Sequence, residues 1–77
     1  MEKWTAKADD PGVVGNLGRN LRRARKQRKM TQEEVGHRSG VHPTEVSRIE
    51  AGKRDPQVST VERLAKAVGL SAGDLLR

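Results

Sequence analysis

Thr44, Ser47 and Arg48 stand at spacings of three and four in the stretch "HPTEVSRIE". On a helix that spacing puts all three on one face, while Val46 and Ile49 share another. Two hydroxyls and a forked guanidinium suit hydrogen-bonded recognition of a polar or anionic surface. Catalysis is a poor fit. The chain offers no Ser/His/Asp set, no carboxylate pair and no phosphate-cradling loop with a lysine, so an enzyme is not expected. Cysteine is absent, which excludes a disulfide framework and a thiolate zinc site. His37 and His42 alone do not make a metal site, and neither metal nor cofactor is expected.

The charge says what such a surface would meet. The 77 residues carry a net +6, with a pI of about 10.5. Within residues 1–15, Lys3 and Lys7 face Glu2, Asp9 and Asp10, a net of −1, which leaves +7 for residues 16–77. Seven of the basic residues fall between Arg19 and Lys29. A basic domain with clustered arginine suggests a polyanionic partner. A solvated helix face explains the same run. An anionic membrane surface would need a strong apolar face of large residues, and this segment offers mainly Leu17, Leu21 and Ala24. No apolar run approaches the roughly 20 residues of a membrane span, and nothing after Lys3 reads as a signal peptide. A cytoplasmic, nucleoid-associated protein is expected.

The positioning elements follow from periodicity and caps. Residues 1–14 include Asp9-Asp10-Pro11-Gly12, the lone Trp4 and no apolar period, so they read as a flexible tail. Residues 15–77 form a single domain. With no Tyr or Phe, its core must be aliphatic. The first helix is expected from about Asn16, a plausible N-cap, to Arg28. Thr31 and Glu34 have capping-box spacing and open a second helix that closes at Gly40. His42-Pro43 starts a third, since proline suits the first helical position. Val58, Val61, Leu64, Ala65 and Val68 mark the fourth. Its start is ambiguous, because Ser59 and Glu62 form another possible capping box. Ser71 and Asp74 open a short fifth helix that ends in Leu75-Leu76. The expected fold is all-α, with five helices.

Helices two and three meet the requirements of a helix–turn–helix, in which two short helices cross steeply at a tight joint. Gly36 is the small residue where the third helix packs on the second. Gly40 can take the positive φ of the turn. Val46 and Ile49 face inward, and Gln32 completes the spacing Gln32–Gly36–Gly40–Val46–Ile49.

On the stretches "LGRNLRRARKQRKMTQEEVG", "SGVHPTEVSRIEAGKRDPQ" and "TVERLAKAVGLSAGDLL", the chain resembles the lambda-repressor-like (Cro/cI-type, xenobiotic-response-element-type) helix–turn–helix family over nearly all of residues 17–76. The resemblance implies a compact five-helix domain of a transcription regulator, a repressor for instance, that binds double-stranded DNA operators, usually as a homodimer. Two positions depart from the family's habit. Gly36 replaces its usual alanine, which should weaken the helix by roughly 0.5–1 kcal/mol. Pro43 replaces a frequent polar or basic side chain and removes one hydrogen-bonding slot.

An α-helix fits the major groove, and the N-terminal part of the recognition helix, about residues 42–50, faces base edges. His42, Pro43, Thr44 and Arg48 are the expected base readers. Arg48 can bond guanine O6 and N7 together, and Pro43 can only touch a thymine methyl. Other roles stay open: phosphate neutralisation for Arg48, plain solvation for Thr44, and an N-terminal cap for His42, which is its first reading. Glu45 reads as a first-turn carboxylate that stabilises the helix start. Phosphate contacts are expected from Thr31 and Gln32 at the start of helix two, from Ser47, and from Lys53 and Arg54 in the following loop. The resemblance implies that the family's matching glutamine holds phosphate. It also implies that Arg25 pairs with Glu50, whose carboxylate otherwise opposes the helix dipole.

A protein-interaction module that keeps the fold with weak DNA binding is the alternative. Within the regulators, a free-standing repressor or activator, an antitoxin and a restriction–modification controller share this kind of chain. If the chain dimerises, Leu70, Leu75 and Leu76 are the apolar anchors, although Leu75 equally fits the monomer's core. No small-molecule ligand is evident.

Overall fold

The computed structural model describes residues 12–77, with side chains from Asn16 onward; the expected tail lies outside the described residues through residue 11, Trp4 included. The elements are α1 (Gly12–Gln27), α2 (Gln32–Ser39), α3 (Pro43–Glu50), α4 (Val58–Ala67) and α5 (Ala72–Leu76), with no strand among the described residues.

α1 begins four residues before the expected start. Asn16 is therefore inside the helix, and its Oδ1 accepts from Arg19 Nη2 at 2.6 Å instead of capping. No proline follows Pro11 to interrupt this first stretch. Leu17, Leu21 and Ala24 are buried along one side, while Arg25 and Lys26 in the last turn complement the helix dipole. The helix closes by a Schellman pattern: Met30 N–H donates to Arg25 O at 3.0 Å and Lys29 N–H to Lys26 O at 2.9 Å. Lys29 takes the left-handed position, with φ 56°.

α2 opens on the capping box. Glu34 N–H donates to Thr31 Oγ1 at 3.0 Å, and Thr31 N–H donates to Glu34 Oε1 at 2.8 Å. Gly40 closes it in the left-handed region, with φ 77°. α5 repeats the device with Ser71 and Asp74. α4 does not: its cap is Gln57, with no side-chain hydrogen bond, and Ser59 is already helical. Starting the helix at Val58 leaves that side chain 69% exposed on the first turn, outside the core.

α3 packs between α1 and α2, α4 packs on α2, and α5 closes the ends of α1 and α4. Leu17, Leu21, Val35, Val46, Ile49, Leu64, Val68 and Leu75 are fully buried. Asn20 Nδ2 donates to Leu75 O at 2.9 Å and to Arg77 O at 3.3 Å, which ties the end of α5 to α1. Leu75 is thus a core residue and cannot anchor a second subunit. Leu70 is 37% exposed and Leu76 half-buried.

Candidate nucleic-acid interface

The joint between α2 and α3 depends on the absence of a side chain. A Cβ built on Gly36 would lie 2.6 Å from Val41 O and 3.2 Å from Pro43 Cγ. Glycine is therefore more than tolerated here: alanine, the expected family residue, would collide with the turn's backbone. Ser39, buried at the end of α2, stitches the same turn. Its hydroxyl accepts from Val41 N–H at 3.1 Å and donates to Gly36 O at 3.4 Å. A second close approach holds the other end of α3. A Cβ on Gly18 would overlap Ile49 O and sit 2.8 Å from Glu50 O, so α1 and α3 meet nearly backbone to backbone.

These contacts aim α3. Val46 and Ile49 are fully buried, which turns Thr44, Ser47 and Arg48 into solvent. Pro43 is half-buried against the joint. His42 caps the helix: its Nδ1 accepts from Thr44 N–H at 3.1 Å.

Glu50 closes α3 with a carboxylate where the dipole favours a cation. Three donors converge on it: Arg25 Nε at 2.7 Å, Arg25 Nη2 at 3.0 Å and Gln32 Nε2 at 3.1 Å. Arg25 Nη1 also donates to Met30 O at 2.9 Å. The side chains of Arg25 and Glu50 are only 12% and 5% exposed. The Glu50 hydrogen bond raises the Arg25 pKa above its ordinary value; burial opposes this, and the carboxylate's charge adds to the rise. Arg25 therefore stays charged at every working pH. The network joins the end of α1, the start of α2 and the end of α3.

The model of the family described as helix-turn-helix (HTH_3) matches residues 21–75. The chain belongs to this helix-turn-helix family. Over 60 residues it is 42% identical to the uncharacterized HTH-type transcriptional regulator y4dJ of Sinorhizobium fredii, covering 78% of each chain. Over 61 residues it is 33% identical to the control protein C.BamHI of Bacillus amyloliquefaciens, covering 78% of this chain and 75% of that one. Its fold is similar to the crystal structure of the restriction-modification controller protein C.AhdI from Aeromonas hydrophila. That likeness has a TM-score of 0.77 at 26% identity and covers 80% of this chain and 94% of the other.

Within this helix-turn-helix frame the candidate residues divide. Thr44, Ser47 and Arg48 share the exposed face of α3, and Thr31 stands exposed at the start of α2. Lys53 is exposed in the loop after α3. Gln32 Nε2 gives one of its two hydrogens to Glu50, which fixes the amide at the start of α2 and leaves its second hydrogen for a phosphate. Arg54 Nε pairs with Glu45 Oε2 at 2.9 Å, which brings the loop cation back beside the first turn of α3. Sequence reasoning passed over Gly18, Asn20, Ser39, the Gln32–Glu50 bond and the Glu45–Arg54 pair. Only a glycine inside an apolar helical stripe hinted at one of them, Gly18. Among the described residues, no group of three His, Cys, Asp or Glu side chains could hold a metal ion, and no helix is long and apolar enough to cross a membrane.

Proposed function

We propose that this protein, a DNA-binding transcriptional regulator by family, reads operator sequence with α3 in the major groove. The observation that carries the reading is the division of α3, with Thr44, Ser47 and Arg48 in solvent opposite the fully buried Val46 and Ile49. Arg48 bonds a guanine edge, Thr44 bonds a base edge or touches a thymine methyl, and Pro43 lies against a methyl. His42 serves as the cap of the reading helix. Thr31, Gln32, the first amides of α2, Ser47, Lys53 and Arg54 grip phosphates and carry no sequence information.

The protein acts as a homodimer of repressor type in the cytoplasm, with Leu70 and Leu76 at the subunit contact. Two-fold symmetry then requires palindromic half-sites about one helical turn apart. Its similarity to two control proteins supports a restriction–modification controller as the second reading; a modification enzyme encoded beside it would select that one.

Selection of bound sequences from a random duplex pool tests the reading. A palindromic consensus is expected. About four to six phosphate contacts per dimer give a slope near −4 to −5 in log affinity against log salt. Arg48→Ala should cost roughly 1–3 kcal/mol on the selected duplex and relax preference at one base pair per half-site. Lys53→Ala should weaken selected and scrambled duplexes alike. No enrichment, together with salt-independent binding, would favour the protein-interaction alternative.

A further inference from the structure

Arg54 follows α3 in sequence, but its guanidinium does not lie at the far end of that helix. The chain turns back at Gly52, with φ 75°, and brings Arg54 Nε to 2.9 Å from Glu45 Oε2 on the first turn of α3. The pair borders an open concavity shared with His42, Thr60 and Arg63, beside the end of α3 that leads into the groove. Both side chains are partly open to water, 48% for Arg54 and 29% for Glu45.

Of the other carboxylates in α2 and α3, Glu33 is exposed on the first turn of α2 and two have different work. Glu34 closes the cap of α2 and Glu50 binds Arg25. Glu45 is the carboxylate that ties up a cation in the phosphate-gripping loop. A first-turn carboxylate steadies a helix start by itself, and that role needs no Arg54. The pair has a consequence of its own. An approaching phosphate within the screening length of about 10 Å at 0.1 M salt meets a neutral pair, not a free cation, and Arg54 contributes a full contact only once the pair has opened.

We infer that Glu45 is a specificity-determining residue that withholds Arg54 from the phosphates of non-cognate DNA. The inference rests on the reading of α3 as the groove-entering helix. On a random duplex α3 does not seat, and Arg54 stays with Glu45. On the operator, base contacts from Thr44 and Arg48 draw α3 into the groove. A phosphate then comes close enough to take the guanidinium from the carboxylate. Glu45 thus lowers affinity everywhere and lowers it most where the bases are wrong.

Glu45→Gln, Arg54→Gln and the double variant separate this from a helix-start role. Each is titrated with a random-sequence duplex and with the selected duplex between 50 and 200 mM salt, and each is melted to check its fold. Glu45→Gln should bind the random duplex about threefold tighter, with a salt slope steeper by about 0.9 per subunit. Its preference for the selected duplex should fall. In the Arg54→Gln background the same substitution should leave the slope unchanged. Unchanged or weaker random-duplex binding by Glu45→Gln overturns the inference. So does an equal slope change with and without Arg54. A wild type that grips both duplexes equally refutes the operator reading instead, while the slope on the random duplex still decides the role of Glu45.

Discussion

Glu50→Gln removes one charge from a largely enclosed polar cluster that joins three helices. The carboxylate receives Arg25 Nε, Arg25 Nη2 and Gln32 Nε2. A glutamine amide offers one oxygen and turns an NH2 group toward the remaining donors. At least one charge-assisted hydrogen bond is lost, at roughly 1.5–3 kcal/mol. Arg25, only 12% exposed, keeps a charge without its counter-ion. Removing one partner of a fully buried pair costs about 3–5 kcal/mol. Arg25 retains Met30 O and a little water, so about 2–4 kcal/mol is expected. In a domain of this size 1 kcal/mol moves Tm by roughly 4–8 °C, and the variant should melt at least about 8 °C lower. Glu33→Gln, on the exposed first turn of α2, should stay within about 0.5 kcal/mol of wild type. Thermal and urea unfolding followed by helical circular dichroism measure both. Equal shifts for the two variants would refute the view that this pair clamps α1 to α3.

Two more substitutions probe the backbone. Gly36→Ala should lower stability by more than about 1 kcal/mol in urea unfolding, although alanine is the better helix former by roughly 0.5–1 kcal/mol, because its Cβ meets Val41 O at 2.6 Å; a more stable variant would show that the joint is looser than this geometry. Lys29→Gly should raise Tm by a few degrees, since a side chain in the left-handed region costs about 1–2 kcal/mol and glycine's extra unfolded-state entropy offsets only part of that relief; an unchanged or lower Tm would count against strain at Lys29.

Local chemistry carried most of what was legible. The Thr31–Glu34 box, the left-handed Gly40 and the Pro43 start are short-range signals, and each forms at its own residues. Where two local signals competed, the sequence alone did not rank them. Ser59 and Glu62 have the spacing of a cap, but helical geometry already begins at Val58, so the hydroxyl has no free amide to hold. Asn16 has the chemistry of a cap, but the helix runs on past it toward the N-terminus. Leu75 shows the opposite difficulty. Its apolar character fits either a core or an interface, and only the packing of α5 on α1, fixed by Asn20, decides for the core.

The least legible features are the ones that aim α3. Gly18 and Gly36 work through what they lack, and the groups they admit, Ile49 O and Val41 O, are backbone atoms that no side-chain pattern reports. Glu50 and Gln32 are 18 positions apart, and Glu50 and Arg25 are 25 apart, so their meeting is a product of the fold. Gln32 illustrates the consequence for function. Bound to Glu50 by one amide hydrogen, it links the start of α2 to the end of α3 and keeps a second donor for a phosphate. On the proposed reading, a phosphate at that helix start meets backbone amides held by the network that also fixes the end of α3, the helix that carries Arg48. On that reading, grip and readout are coupled through Glu50. A substitution there should disturb the register between phosphate contacts and base contacts even at temperatures where the domain remains folded.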